Sequence, residues 1–217
     1  MPKQLTVILA DGDFPKESHP LAYLKNAARI VCCDGSAAAL SDFGLEPDVI
    51  IGDLDSLPEQ FKARFADRLI HVSEQETNDL TKAFTYCRNQ GWENIVILGA
   101  TGKREDHTLG NLSLLADYSK SVQNLKFVTN YGIFFVLSEP ATLPAVPGQQ
   151  ISIIALQTGT KVTSRNLKYP MDQLALNRWW QATLNEACAE TFSLDFPEGT
   201  QLLIFQEHIK STKGSEA

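Results

Sequence analysis

The sequence predicts an α/β domain built on a parallel sheet, followed by a small all-β domain. Two observations carry this expectation: continuous apolar runs alternate with segments of helical period in the first half, and that alternation stops near residues 120–130, where short β-rich runs take over. A third observation fits both. Gly and Pro are spread through the second half, at Pro140, Pro144, Pro147, Gly148, Gly159, Pro197 and Gly199, the punctuation expected between short strands.

Taken in order, residues 5–9, 30–33, 49–51, 69–72 and 95–98 read as strands. They are continuously apolar, as strands covered on both faces are. Between them, Leu80, Ala83, Phe84 and Cys87 fall at i, i+3, i+4 and i+7, the clearest helical stripe in the chain. A further helix is expected over 107–118, with Leu109, Leu112, Leu115 and Ala116 on its apolar face. Strand–helix alternation of this kind gives a Rossmann-like sheet with helices on its faces. The later runs 126–129, 133–137, 150–156, 161–163 and 201–206 read as strands of the second domain. The expected boundaries are 1–123 and 124–210, with a frayed polar tail over 211–217.

Composition narrows the function classes. Of 217 residues, 43% are hydrophobic and 21% charged, as in folded globular proteins. The 26 acidic residues outnumber the 19 basic ones, for a formal charge of −7, and no Lys/Arg cluster follows a nucleic-acid backbone. Nucleic acid is therefore not an expected partner. No apolar run approaches a membrane span, and no leader-like pattern opens the chain, so a cytoplasmic protein away from membranes is expected. Cys32 and Cys33 are neighbours, with Cys87 and Cys188 distant, which suits buried free thiols rather than a disulfide or CxxC framework.

In open parallel sheets ligands bind at the carboxyl ends of the strands. Here those ends are acidic: Asp11-Gly12-Asp13, Asp34-Gly35-Ser36-Ala37, Gly52-Asp53-Leu54-Asp55-Ser56, and a fourth exit running from Glu74 through Gln75 and Asn78 to Asp79. In an extended segment Asp53 and Asp55 point the same way, so either one takes up a proton or a cation lies between them; Mg²⁺ suits an incomplete oxygen shell. Otherwise Asp53 caps a turn and Asp55 begins the helix that follows Pro58. Asp79, at a helix start, either supplies a metal ligand or complements the helix dipole. Thr77, Asn78 and Lys82 on the same turn offer phosphate contacts, although Lys82 reads equally as a surface lysine. In Asp34-Gly35-Ser36-Ala37, Gly35 is read as permitting a tight turn close to a nucleotide. The fifth exit, 99–107, joins glycines to Arg104, whose planar fork suits phosphate oxygens, and ends on Asp106 and His107. His107 either moves a proton, bonds a phosphate, or simply caps the helix. No GxxxxGK[ST] loop is present.

As a set and in order, Asp34-Gly35-Ser36-Ala37, Gly52-Asp53-Leu54-Asp55-Ser56, Asn78-Asp79-Leu80-Thr81-Lys82-Ala83 and Gly102-Lys103-Arg104-Glu105-Asp106-His107 resemble the thiamine pyrophosphokinase family. The resemblance implies an α/β nucleotide domain followed by a β-sandwich, a homodimer with active sites between subunits, and transfer of diphosphate from ATP to the hydroxyl of thiamine. It implies that Asp53, Asp55 and Asp79 hold Mg²⁺, and that Gln75, Asn78, Lys82 and Arg104 handle phosphates. Asp34 and Ser36 would line the ATP site, and Asp106 and His107 match the family's Asp-His pair, with His107 counted among the ATP contacts. The chain departs from the family at Lys103, where a second glycine is usual; the change adds a positive charge beside the phosphates. It departs again at Leu184, where the usual serine of a Ser-Asn-Glu segment is replaced in Leu184-Asn185-Glu186. Asn166-Leu167-Lys168-Tyr169 likewise stands where the family usually has a Gly-Leu-Lys-Tyr/Trp segment, and the resemblance places Tyr169 and Asn185 near thiamine. Trp179 and Trp180 either stack on its pyrimidine or belong to the core or dimer interface. Leu184 leaves open a pyrophosphokinase for another heterocyclic alcohol such as a hydroxymethylpterin, and a nucleotide-binding sensor without catalysis is the reading from a different class.

Overall fold

The computed structural model describes residues 4–209, so the tail expected over 211–217 lies outside the described residues. The chain divides into two compact units, Met1–Asn130 and Tyr131–Ala217.

The first unit follows the α/β expectation. Strands β1 (Thr6–Leu9), β2 (Arg29–Cys33), β3 (Val49–Gly52), β4 (Leu69–His71), β5 (Asn94–Leu98) and β6 (Asn124–Val128) lie in the order β6-β5-β1-β2-β3-β4. Every neighbouring pair among them is parallel. The helices are α1 (Ser18–Lys25), α2 (Ser36–Asp42), α3 (Glu59–Arg64), α4 (Asp79–Asn89) and α5 (Glu105–Tyr118). Val7, Ile8, Val31, Cys32, Ile50, Ile95 and Ile97 are almost wholly buried, which is why these strands read as unbroken apolar runs. Helix α4 packs on β1, β2 and β3 through the predicted stripe, with Leu80, Ala83, Phe84 and Cys87 all buried.

The chain runs outward from β1 to β4 and then returns to place β5 on the other side of β1. The crevice between β1 and β5 is thus the point where strand order reverses, the position at which such sheets bind ligands. The division of the chain also differs from expectation. Residues 126–128 of the run over 126–129, expected in the second domain, lie in β6, which pairs in parallel with β5 and belongs to the first unit, so the two units divide at 130/131 rather than 123/124. An alternating apolar strand does not disclose whether its partner is parallel.

The second unit comprises two antiparallel sheets. One has the order β12 (Ala182–Glu186), β9 (Gln150–Ala155), β14 (Leu202–Glu207), β7 (Gly132–Leu137); the other β11 (Leu174–Leu176), β10 (Thr160–Arg165), β13 (Thr191–Asp195), β8 (Ala141–Pro144). Burial alternates along β9 and β10, as it should where one face packs inward. Ile151, Ile153, Val162, Leu176, Phe192, Leu194, Leu202 and Ile204 form the shared core of a β-sandwich.

Candidate active site

A cleft of about 400 Å³ opens at the carboxyl ends of the parallel strands. Its lining includes Asp11 and Gly12 after β1, Cys33 to Gly35 at the end of β2, Ser56 after β3, Asn78 and Asp79 at the start of α4, and Gly99, Ala100, Gly102, Lys103, Arg104, His107 and Asn111 after β5.

The backbone makes this convergence possible at two unusual residues. Asp34 has φ +36, turning the chain sharply out of β2, and Leu54 has φ +64. Left-handed backbone is tolerated by aspartate and uncommon for leucine, so the Leu54 turn is held by its surroundings. The tight turn expected of Gly35 therefore lies one residue earlier, and Gly35 itself has ordinary helical dihedrals. Its lack of a side chain matters for proximity: a Cβ there would stand 3.3 Å from the Ser56 Cβ and 3.6 Å from an Asp11 carboxylate oxygen. At Gly52 a Cβ would come 3.0 Å from the Asp34 Cβ and 3.3 Å from Asp79 Oδ1.

Carboxylate oxygens of Asp34, Asp53 and Asp79 lie within 4.8 Å of one another. Two of the expected trio of Asp53, Asp55 and Asp79 belong to this group, and Asp34 joins them. The expectation assumed an extended segment, but the turn at Leu54 breaks the two-residue alternation, and the Asp55 amide donates back to Asp53 Oδ1 at 3.2 Å. Asp55 is exposed, and Asp34 adds a buried carboxylate to the group. Asp34 is 2% exposed. Its Oδ2 accepts from the Ser56 amide at 3.1 Å, whereas its buried Oδ1 has no hydrogen-bond partner. A buried carboxylate oxygen left unpartnered beside two further carboxylates is costly unless a cation joins them. The donor set, hard oxygens with an incomplete shell, fits Mg²⁺.

The environment pushes these acids apart. Burial raises the Asp34 pKa above the ordinary carboxylate value, against the lowering effect of the Ser56 hydrogen bonds and with smaller contributions from Asp79 and Asp53. Asp53 is lowered, chiefly by the Gln75 side chain, which donates to Asp53 Oδ2 at 3.2 Å. Lys82, which read equally as a surface residue, is buried and donates to Asp79 Oδ1 at 3.1 Å. Asn78 caps α4, accepting from the Thr81 amide at 2.9 Å, and donates to Asn111 Oδ1 at 3.1 Å. Arg104 grips Asp106 through two hydrogen bonds, at 3.0 and 2.5 Å, and holds that carboxyl well below its usual range. Asp106 also accepts from the His107 amide at 2.9 Å.

Ser36 does not line the cleft: it is buried, and its hydroxyl donates to the Leu9 carbonyl at 2.7 Å, tying α2 to β1. Asn111 was missed in the sequence, though the signal existed, because it lies one helical turn beyond His107 on the same face of α5. Cys33, read only as a buried thiol, also borders the cleft, with Sγ 3.6 Å from the Asp79 carbonyl.

In the second unit Asn185 is 3% exposed. Its amide oxygen accepts from the Tyr169 and Glu186 amides and its amide nitrogen donates to the Tyr169 carbonyl at 2.8 Å, so this side chain is occupied in bracing two backbone segments. Tyr169, Trp179, Trp180 and Leu184 are exposed, at 61, 55, 72 and 71%, which places the tryptophans outside the unit's own core.

A family model described as "Thiamin pyrophosphokinase, catalytic domain" matches residues 21–127, and one described as "Thiamin pyrophosphokinase, substrate-binding domain" matches residues 132–205. The chain belongs to the thiamin pyrophosphokinase family. Thiamin pyrophosphokinase 1 of Caenorhabditis elegans is 30% identical over 185 residues, spanning 76% of this chain and 71% of the relative. Among solved structures, thiamin pyrophosphokinase of Geobacillus thermodenitrificans superposes with a TM-score of 0.78 at 23% identity, covering 96% of this chain and 99% of the other. The Candida albicans protein gives 0.80 at 20% identity, covering 95% and 90%. At these identities the superpositions establish the α/β-plus-sandwich fold. Among the described residues no helix is long and apolar enough to cross a membrane.

Proposed function

We propose that this family member transfers a diphosphate group from ATP to the hydroxyl of thiamine, giving thiamine diphosphate and AMP. The observation that carries the reading is the three-carboxylate cluster at the carboxyl ends of β2 and β3 and the start of α4, with Asp34 Oδ1 buried and unpartnered. Asp53, Asp55 and Asp79 would hold Mg²⁺, joined by Asp34, whose buried Oδ1 has no hydrogen-bond partner. Bound there, the ion would neutralise phosphate charge and draw the triphosphate to an otherwise acidic edge.

The protein's own groups account for the remaining work. The hydroxyl oxygen attacks the β-phosphorus as the bond from that phosphorus to the bridging oxygen of AMP breaks, and the hydroxyl proton passes to a carboxylate of the site. Lys82 and Arg104 oppose the negative charge that collects on the bridging and leaving oxygens. Asn78, Gln75 and His107 supply further hydrogen-bond donors around the phosphates. Trp180 and Tyr169 offer exposed aromatic faces for the thiamine rings. Asn185 supports Tyr169 by fixing its backbone. By the same family reading the protein works in the cytoplasm as a homodimer, with the first unit as the catalytic portion and the second for thiamine and dimer contacts.

Chromatographic analysis of ATP, thiamine and Mg²⁺ incubated with the protein should reveal equal amounts of AMP and thiamine diphosphate, and neither when the metal is chelated. Asp55→Asn should fold and form no AMP. Protein that binds ATP with Mg²⁺ yet yields no AMP with thiamine would replace this reading with that of a nucleotide sensor.

A further inference from the structure

The cations around the cleft are each matched with an acid. Lys82 pairs with Asp79 and Arg104 with Asp106, both within a few residues along the chain. Lys103 differs: its Nζ reaches Asp11 Oδ1 at 3.0 Å across a separation of 92 residues, joining the exit of β5 to the exit of β1, and both side chains line the cleft.

A structural purpose does not account for that pair. The two loops are already fastened backbone to backbone, the Gly12 amide donating to the Gly99 carbonyl at 2.7 Å and the Asp13 amide to the Thr101 carbonyl at 2.8 Å. Lys103 and Asp11 are 55 and 56% exposed, a setting in which an ion pair adds little to stability. Lys103 also sits at φ +57, a conformation that glycine adopts freely and a side chain only at a cost. A lysine kept at a strained position, with its charge spent on an exposed aspartate at the mouth of an acidic cleft, is poorly placed for stability and well placed for a polyanion.

We propose that Lys103 is a polyphosphate-binding residue, its ammonium resting on Asp11 in the free protein and passing to the nucleotide's outer phosphates on binding. This rests on the ATP reading above and deepens it. Asp11 acts as the resting counter-ion, so it opposes binding by competing for Lys103 as well as by its own charge. The exchange breaks one ion pair and forms another, with no covalent change. The cleft then discriminates by the number of phosphates carried, because a monophosphate lacks the outer groups that Lys103 would meet.

Isothermal titration calorimetry with ATP, ADP and AMP, in Mg²⁺ and without thiamine so that no turnover occurs, tests this on wild type, Lys103→Gly, Lys103→Arg, Asp11→Asn and the Asp11→Asn/Lys103→Gly double variant. Loss of one charge-assisted phosphate contact should weaken ATP binding about tenfold in Lys103→Gly. AMP binding should stay within about twofold, and Lys103→Arg should restore ATP binding. Asp11→Asn should tighten ATP binding, and by a smaller factor once Lys103 is gone, since only the competition for Lys103 disappears with it. Lys103→Gly should melt no lower than wild type, since glycine relieves the backbone. Equal losses for ATP and AMP, wild-type ATP affinity in Lys103→Gly, or an Asp11→Asn effect undiminished in the double variant would overturn the assignment while leaving the ATP reading intact. Absence of Mg²⁺-dependent ATP binding by wild type would remove both.

Discussion

Replacing Asp34 with asparagine should stabilise the metal-free protein and remove its response to metal. In wild type the Ser56 amide occupies one carboxylate oxygen and the other is buried with no partner, facing Asp53 and Asp79. The introduced amide would keep an acceptor for Ser56 and turn a donor toward the two remaining carboxylates. An unsatisfied buried polar group costs about 1 to 3 kcal/mol. Each kcal/mol moves the Tm of a chain this long by about 2 to 4 °C, so a rise of roughly 2 to 12 °C is expected in chelator. The pH dependence has a definite sign. Burial raises the folded pKa of Asp34 above 3.8, so its favourable contribution is full below that value and is lost as pH rises through the folded pKa. The melting gap between Asp34→Asn and wild type should therefore be small near the ordinary carboxylate pKa of 3.8 and widen at higher pH. With Mg²⁺ at about a hundred times its dissociation constant, wild type should gain about 2.7 kcal/mol, and the variant should gain far less. Differential scanning calorimetry with and without Mg²⁺ reads both effects. A variant that melts at or below wild type in chelator, or that keeps the full Mg²⁺ shift, would refute the reasoning.

Gly52→Ala should displace Asp34 and Asp79, so that the Mg²⁺-induced melting shift is lost although the substituted side chain is apolar and small; a calorimetric shift equal to wild type would contradict this. Asn185→Ala should destabilise the second unit by about 1 to 3 kcal/mol, because the Tyr169 and Glu186 amides lose their acceptor, while Trp180→Ala, at an exposed position, should leave urea unfolding unchanged and raise the KM for thiamine. Ellman's reagent should titrate Cys188 alone in the native protein and all four thiols in guanidinium. Cys32, Cys33 and Cys87 are buried, and burial pushes the thiols of Cys32 and Cys87 up to about 12 and that of Cys33 well upward.

The parts of the fold that were legible in the sequence are those in which one residue pattern has one physical cause. Doubly covered strands such as β1, β2 and β5 must be apolar throughout, and α4 must show a stripe, because each buries a defined surface. The strand exits could be read as acidic for the same reason: strand ends fix where loops begin. What stayed hidden depended on backbone dihedrals and on contacts distant in sequence. Leu54 gives no notice in its identity that it will adopt φ +64, the turn that breaks the two-residue alternation between Asp53 and Asp55. Asn185 is polar and sits in a segment resembling a ligand motif, yet its neighbours across the strand claim its hydrogen bonds. Lys82 looked like any helical lysine until α4 was packed on the sheet and Asp79 became its partner.

The meeting of Gly12 with Gly99 has a mechanical consequence. A methyl group at Gly12 would fall 2.3 Å from the Gly99 carbonyl oxygen, and one at Gly99 would fall 2.3 Å from that of Ala10, so these two hairpin-like turns are interlocked main chain against main chain. Such a seam has no soft side chain to yield. That part of the cleft floor is therefore stiff, whereas the stretch between β4 and α4, which carries Gln75 and Asn78, is exposed.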